Sequence, residues 1–251
     1  MTVRSTLLAL VVLAISSSVR AATPPSAVEF EGLWQAVPNR PRPPRGSEAR
    51  TPGPRRRGAQ ADEKGLTAGD YRVRGMMTDA GQAAFDAFDP YELPANNCES
   101  PGLPHIAVVP NLQEWRFEGN TLRITHEYYS TKRAIHLDGD LPDDLPKTPA
   151  GYATARFEGD TLVIRTMALA ATLGGLSRNA PSSDARVVTE RYRILPDGSG
   201  IGGQITIEDE KFLTRPIRLP LRLTRPEPDA ELILFPCDPE AARRHLPPRN
   251  Q

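Results

Sequence analysis

The sequence predicts a mainly β protein: a single antiparallel meander closing into a β-barrel of about eight to nine strands, with one short helix. Three observations carry this. Between Leu112 and Arg225, short alternating runs are separated by turn residues, the pattern of strands joined by hairpins. Two near-identical stretches, RFEGNTLRI at Arg116 to Ile124 and RFEGDTLVI at Arg156 to Ile164, each hold a Gly-X pair suited to a two-residue hairpin loop. The length, 251 residues, is one at which an all-β barrel runs as a single unit.

Residues 1–21 read as a secretory signal peptide, with Arg4 ahead of an apolar core from Leu7 to Ile15 and a small-residue site ending at Ala21. The expected location is periplasmic or secreted. The apolar run falls short of the roughly 20 residues a bilayer span needs, and no later stretch exceeds it, so no membrane span is expected. Residues 22–37 form the first strand region, FEGLWQAV from Phe30 to Val37. Residues 38–65 form a Pro/Arg-rich linker: Pro38 to Arg57 holds seven arginines, six prolines and one glutamate. Such a segment buries too little apolar surface to offset its ordering entropy and is expected to be disordered. Residues 66–251 complete the same domain. Within them Thr78 caps a helix running to about Phe88, where Asp89-Pro90 stops it. A Pro- and Gly-punctuated loop follows, and then the meander.

The two repeats set the register. A turn at Gly119-Asn120 pairs Phe117 with Leu122 and Trp115 with Ile124; one at Gly159-Asp160 pairs Phe157 with Leu162 and Ala155 with Ile164. One face is then apolar and must be inward, because a one-residue slip would invert both faces. Arg116 falls opposite Arg123, a like-charge pair for Glu114 and Glu118 to relieve. A next turn centred on Ser130-Thr131 pairs His126 with Ile135 and Tyr128 with Arg133. Further on, Val188, Glu190, Tyr192 and Ile194 share a face, as do Ile205, Ile207 and Asp209, and Ile217, Leu219, Leu221 and Leu223.

Cys98 and Cys237 are the only cysteines. In an oxidising compartment they form a disulfide or, alternatively, two separate buried thiols. The strand opening G-x-W (Gly32, Trp34) ahead of a meander looks like the calycin and lipocalin type of ligand-binding barrel. Met77-Thr78 with Gly81, Cys98 with Pro101-Gly102 and Pro104, Arg133 with Ile135 and Asp138-Gly139, Phe157 to Val163, Glu190-Arg191-Tyr192 and Cys237 extend the likeness. Together they resemble an uncharacterised family of secreted bacterial proteins. That resemblance implies a periplasmic or secreted location and supports pairing the two cysteines; it implies no activity. The chain departs from the family's pattern at Ser182-Ser183, where a histidine often precedes the E-R-Y strand.

The inward polar set holds the candidate site. His126, Glu190 and Tyr128 are the candidate catalytic residues; Arg133, Tyr192, Asp209 and Trp115 are candidate ligand-binding residues. A carboxylate beside a guanidinium forms a bidentate pair that also orients an anionic or carbonyl group. Histidine transfers protons near neutral pH, and tyrosine donates to developing negative charge. The expected function is binding of a small, partly apolar molecule. The alternative is a cofactor-independent isomerase, lyase or hydratase acting on a carbonyl compound, and a third reading makes the barrel a scaffold for an interacting Arg-Pro segment. A structural Arg133–Glu190 pair accounts for the same residues without a ligand. His126, Glu127 and His136 do not converge on a metal, because alternation sends Glu127 and His136 outward. Neither a phosphate loop nor a dinucleotide fingerprint is present, so no cofactor is expected. Outside the leader and the Arg-Pro segment, 22 basic groups face 30 acidic ones, which argues against nucleic acid as partner. The small-residue stretch at residues 168–185 reads as a lid over the barrel mouth or a plain surface excursion.

Overall fold

The computed structural model describes residues 25–37, 66–234 and 236–246. The signal-peptide and Pro/Arg-linker assignments lie outside these residues. Nine strands close into one barrel: β1 (Gly32–Val37), β2 (Leu112–Glu118), β3 (Thr121–His126), β4 (Lys132–Leu137), β5 (Tyr152–Glu158), β6 (Thr161–Met167), β7 (Val187–Ile194), β8 (Gly200–Glu208) and β9 (Ile217–Thr224). Sequential neighbours pair throughout, and β1 closes the ring antiparallel to β9. One departure from a pure antiparallel meander is the parallel pair β4–β5. Closure requires it: direction must return to itself around the ring, so nine pairings cannot all be antiparallel. The connection at residues 138–151 therefore runs the length of the barrel wall before β5 begins.

The two repeated hairpins pair as their glycines predict: Phe117 faces Leu122, Trp115 faces Ile124, Phe157 faces Leu162 and Ala155 faces Ile164. Gly119 and Gly159 take φ of 61° and 63°, the left-handed region that glycine enters without steric cost. Arg116 does lie opposite Arg123, and each finds a carboxylate, Glu114 at 2.7 Å for the first and Glu118 for the second. The outward faces of β5, β6 and β7 carry Arg156, Arg165, Arg191 and Arg193, with Glu158 and Asp160 paired to three of them. A barrel whose wall faced lipid would show an apolar band there. No helix among the described residues is long and apolar enough to cross a membrane.

The β3–β4 turn differs from the expected one. His126 N–H donates to Thr131 C=O at 2.8 Å, and Arg133 pairs with Ile124 instead of Tyr128, Ile135 with Leu122 instead of His126. The loop is the longer Glu127 to Ser130, with Tyr129 and Ser130 at φ 53° and 49°. Contacts remote in sequence hold it: the Glu127 carboxylate accepts from Leu112 N (3.2 Å) and Asn111 Nδ2 (3.3 Å), and Tyr129 Oη donates to Ala95 O (2.7 Å). The pairing changed by an even number of residues, so His126 and Arg133 still point inward.

The base of the barrel shows why the first strand needs its glycine. A short 3-10 turn, Pro25–Phe30, precedes β1, and Trp34 Nε1 donates to Phe30 O at 2.8 Å. Arg225, just after β9, lays its guanidinium 3.6 Å over the Trp34 ring and donates to the carbonyls of Glu31 and Leu33. Gly32 has φ +106°, and a Cβ there would lie 2.5 Å from Arg225 Nη1. Above this plug the interior is apolar and aromatic, with Phe30, Trp115, Leu122, Ile124, Ile135, Leu162, Ile164, Ile201 and Ile205 all at or below 1% exposure.

The other end is covered by residues 66–111 and by the β6–β7 connection. Helix α1 (Ala68–Arg74), absent from the sequence reading, is closed by a capping box between Thr67 and Asp70. Helix α2 (Asp79–Asp86) is capped by Thr78, whose hydroxyl accepts from Gly81 N, as its sequence predicts. A one-turn helix α3 (His105–Val108) and, after the barrel, α4 (Pro239–Arg243) complete the set. Cys98 and Cys237 form a disulfide, tying the segment before β2 to the tail after β9.

Candidate functional site

Alternation along β7 builds the site. Its inward column reads Val188, Glu190, Tyr192, and the same phase one step earlier gives Arg186. Across the interior, β3 presents His126 and β4 presents Arg133, while β2 presents Gln113 and Trp115, all buried.

Glu190 and Arg133 form a two-pronged pair: Arg133 Nη1 donates to Oε1 at 3.2 Å, and Nη2 donates to Oε2. Arg133 Nη2 also reaches Thr166 Oγ1 at 3.4 Å, and Tyr192 Oη donates to Glu190 Oε1 at 2.7 Å. Both carboxylate oxygens are thus occupied. Burial opposes the guanidinium charge, but Glu190 outweighs it and holds the Arg133 pKa above its ordinary value. Burial and then Glu190 push the Tyr192 hydroxyl well above the usual phenol range, so it stays a donor. Trp115 lies edge-on to Tyr192 with ring centres 5.1 Å apart, and its Nε1 donates to Gln113 Oε1 at 3.0 Å.

His126 is fully sealed. Burial, reinforced by the nearby Arg133 charge, lowers its pKa to about 3, against a hydrogen bond to the Ile106 carbonyl. It is therefore neutral at ordinary pH, with Nε2 lacking a partner; Arg133 Nε also has none.

The remaining predicted residues separate. Tyr128 sits in the turn after β3, half-buried and stacked on His105 at 5.7 Å between ring centres. Burial and then Tyr129 raise its pKa to about 12. It faces an outer cleft of about 460 Å³ bordered by Asn111, Tyr129 and the tail around Cys237. Asp209 caps a loop: it accepts from Ser183 N (2.7 Å), Ser183 Oγ (2.6 Å) and Phe212 N (3.1 Å). Glu127 and His136 lie apart from His126, and no group of three His, Cys, Asp or Glu among the described residues is arranged to hold a metal.

Sequence reasoning missed Arg186, Gln113 and Thr166. Each continues an inward column already in hand, Arg186 two residues before Val188, Gln113 two before Trp115 and Thr166 two after Ile164, so phase alone reaches them. It also missed Asp70, which no local pattern marks as buried. Asp70 accepts from Ser177 Oγ and from Asn179 N (3.3 Å) and Nδ2 (3.2 Å), fastening the β6–β7 connection to α1. Burial opposes the Asp70 charge, and these bonds with Thr67 outweigh it, holding the carboxyl below the usual range.

The closed nine-strand ring fits the calycin-like type of barrel. No protein-family model matches the chain, and no curated protein matches it, so its likeness to a secreted bacterial family rests on the motifs alone.

Proposed function

We propose that the protein is a secreted or periplasmic barrel that binds a small, partly apolar molecule in its interior, in keeping with the secreted family its motifs resemble. The observation that carries the reading is a pair of buried polar atoms of opposite sense left without partners in an apolar interior. The neutral His126 ring offers Nε2 as an acceptor when its proton is on Nδ1, and Arg133 Nε is a donor. Buried polar groups in folded proteins are nearly always satisfied, and an unsatisfied one costs about 1–3 kcal/mol. A hydroxyl group answers both: its O–H donates to Nε2 and its oxygen accepts from Nε–H. The disulfide supports the location.

The enzyme alternative has less support. Glu190 is engaged at both oxygens, and a histidine with a pKa of about 3 is a weak base. Native mass spectrometry of protein purified from the secreted fraction tests the proposal. A retained small molecule is expected in the wild type and its loss in His126→Leu. Protein that is empty and gains no mass from cell extract sinks the reading. Turnover of a retained ligand that disappears in Glu190→Gln, with binding kept, would restore the enzyme.

A further inference from the structure

Beyond the barrel interior, the structure assigns a second site: we propose that Arg186, Ser182 and Thr172 bind a small carboxylate beneath the β6–β7 connection. Arg186 is 1% exposed, yet its Nη2 meets only the Ala170 carbonyl, at 3.3 Å. Its Nε and Nη1 have no partner, and neither has Ser182 Oγ or Thr172 Oγ1, all of them buried atoms. These orphans form one group. Thr172 and Ser182 are bonded face to face through their backbones, N to O at 3.2 and 2.8 Å, so their side chains leave the same side of a short ladder. Ser182 Oγ and Arg186 Nη1 in turn converge on Gly175, where a Cβ would sit 1.9 Å from each.

The chemistry of the set is one-sided. The guanidinium can only donate and the two hydroxyls can donate to a ligand as well, and nothing among the described residues accepts from the free atoms. Asp209 acts on Arg186 only through space, because both its oxygens are taken by Ser183 and Phe212. Burial outweighs it and lowers the Arg186 pKa to about 10, which leaves the group charged at neutral pH. A planar anion with two acceptor oxygens is what such donors are suited to take. The walls are fastened: Asp70 holds Ser177 and Asn179, and Asp209 holds Ser183.

The test uses the full-length protein, dialysed free of carboxylates, titrated with sodium acetate against sodium chloride at matched ionic strength. A saturable rise in Tm is expected with acetate, together with amide shifts centred on Gly175 and Ser182. The double variant Thr172→Val with Ser182→Ala keeps the guanidinium and its backbone contacts and should bind acetate about tenfold more weakly. His126→Leu should leave acetate binding intact, which separates this site from the interior one. Equal responses to chloride and acetate, or an unchanged affinity in the double variant, would overturn the proposal. So would a single buried water on Arg186 Nη1 that acetate does not displace.

Discussion

Arg133 and Arg186 are both sealed from solvent, at 4% and 1% exposure, but their surroundings are opposite. Arg133 meets a carboxylate on two prongs, and that carboxylate is itself steadied by Tyr192. Arg186 touches one backbone carbonyl and keeps two nitrogens idle. The first arrangement compensates the charge within the protein and leaves Nε alone without a partner. The second leaves the desolvation cost standing, and a partner from outside is what offsets it. Burial alone thus says little about a charged residue; whether a carboxylate inside the protein meets it says how much of its desolvation is offset.

Replacing Glu190 by Gln strands the Arg133 charge and should cost about 3–5 kcal/mol in urea denaturation. Arg186→Met in carboxylate-free buffer should cost nothing or stabilise by about 1–3 kcal/mol, since it removes an uncompensated buried charge. Equal losses for the two variants would mean that the two arginines are equally compensated.

Acid should act through the neighbour of Arg133. His126 titrates near 3 when folded and near 6.5 when unfolded, so between those values the unfolded chain binds the extra proton. Stability is then complete above about pH 6.5 and falls toward pH 3, by at most about 1.4 kcal/mol per pH unit. In His126→Leu that part of the pH profile should flatten, as followed by denaturation midpoints.

Two smaller effects refine the picture. Gly175→Ala drives a methyl into Arg186 Nη1 and Ser182 Oγ and should lose about 1–3 kcal/mol in thermal unfolding. Tyr192→Phe removes one hydrogen bond from Glu190, which keeps both arginine prongs, and should lose only about 0.5–1.5 kcal/mol in the same measurement.

What could be read beforehand follows how local each determinant is. Gly119 and Gly159 carry their turns within two residues and alternation carries β7, so the faces of β2, β3, β5, β6 and β7, with Glu190 and Tyr192, are legible; Arg133 stays inward because the β3–β4 shift is an even number of residues. The β3–β4 turn is not legible, because Asn111, Leu112 and Ala95 decide it from other segments. Nor is the parallel β4–β5 pair, which arises from the closing of the whole ring rather than from either strand. Tyr128 was placed on a strand by a register that those contacts overrode, and so it left the interior set. The Asp70 clamp spans 107 residues to Ser177 and leaves no periodic trace.

The Cys98–Cys237 bond has a topological meaning. Strands β2 to β9 all lie between its two ends, and β1 lies outside. The oxidised chain is a closed loop with a segment leaving it on either side: when it unfolds, eight strands remain denied their most extended states, and β1 is the one strand outside that constraint. The staves of this barrel are hooped covalently except for one, and Trp34 under Arg225 is the pin that keeps that stave in place.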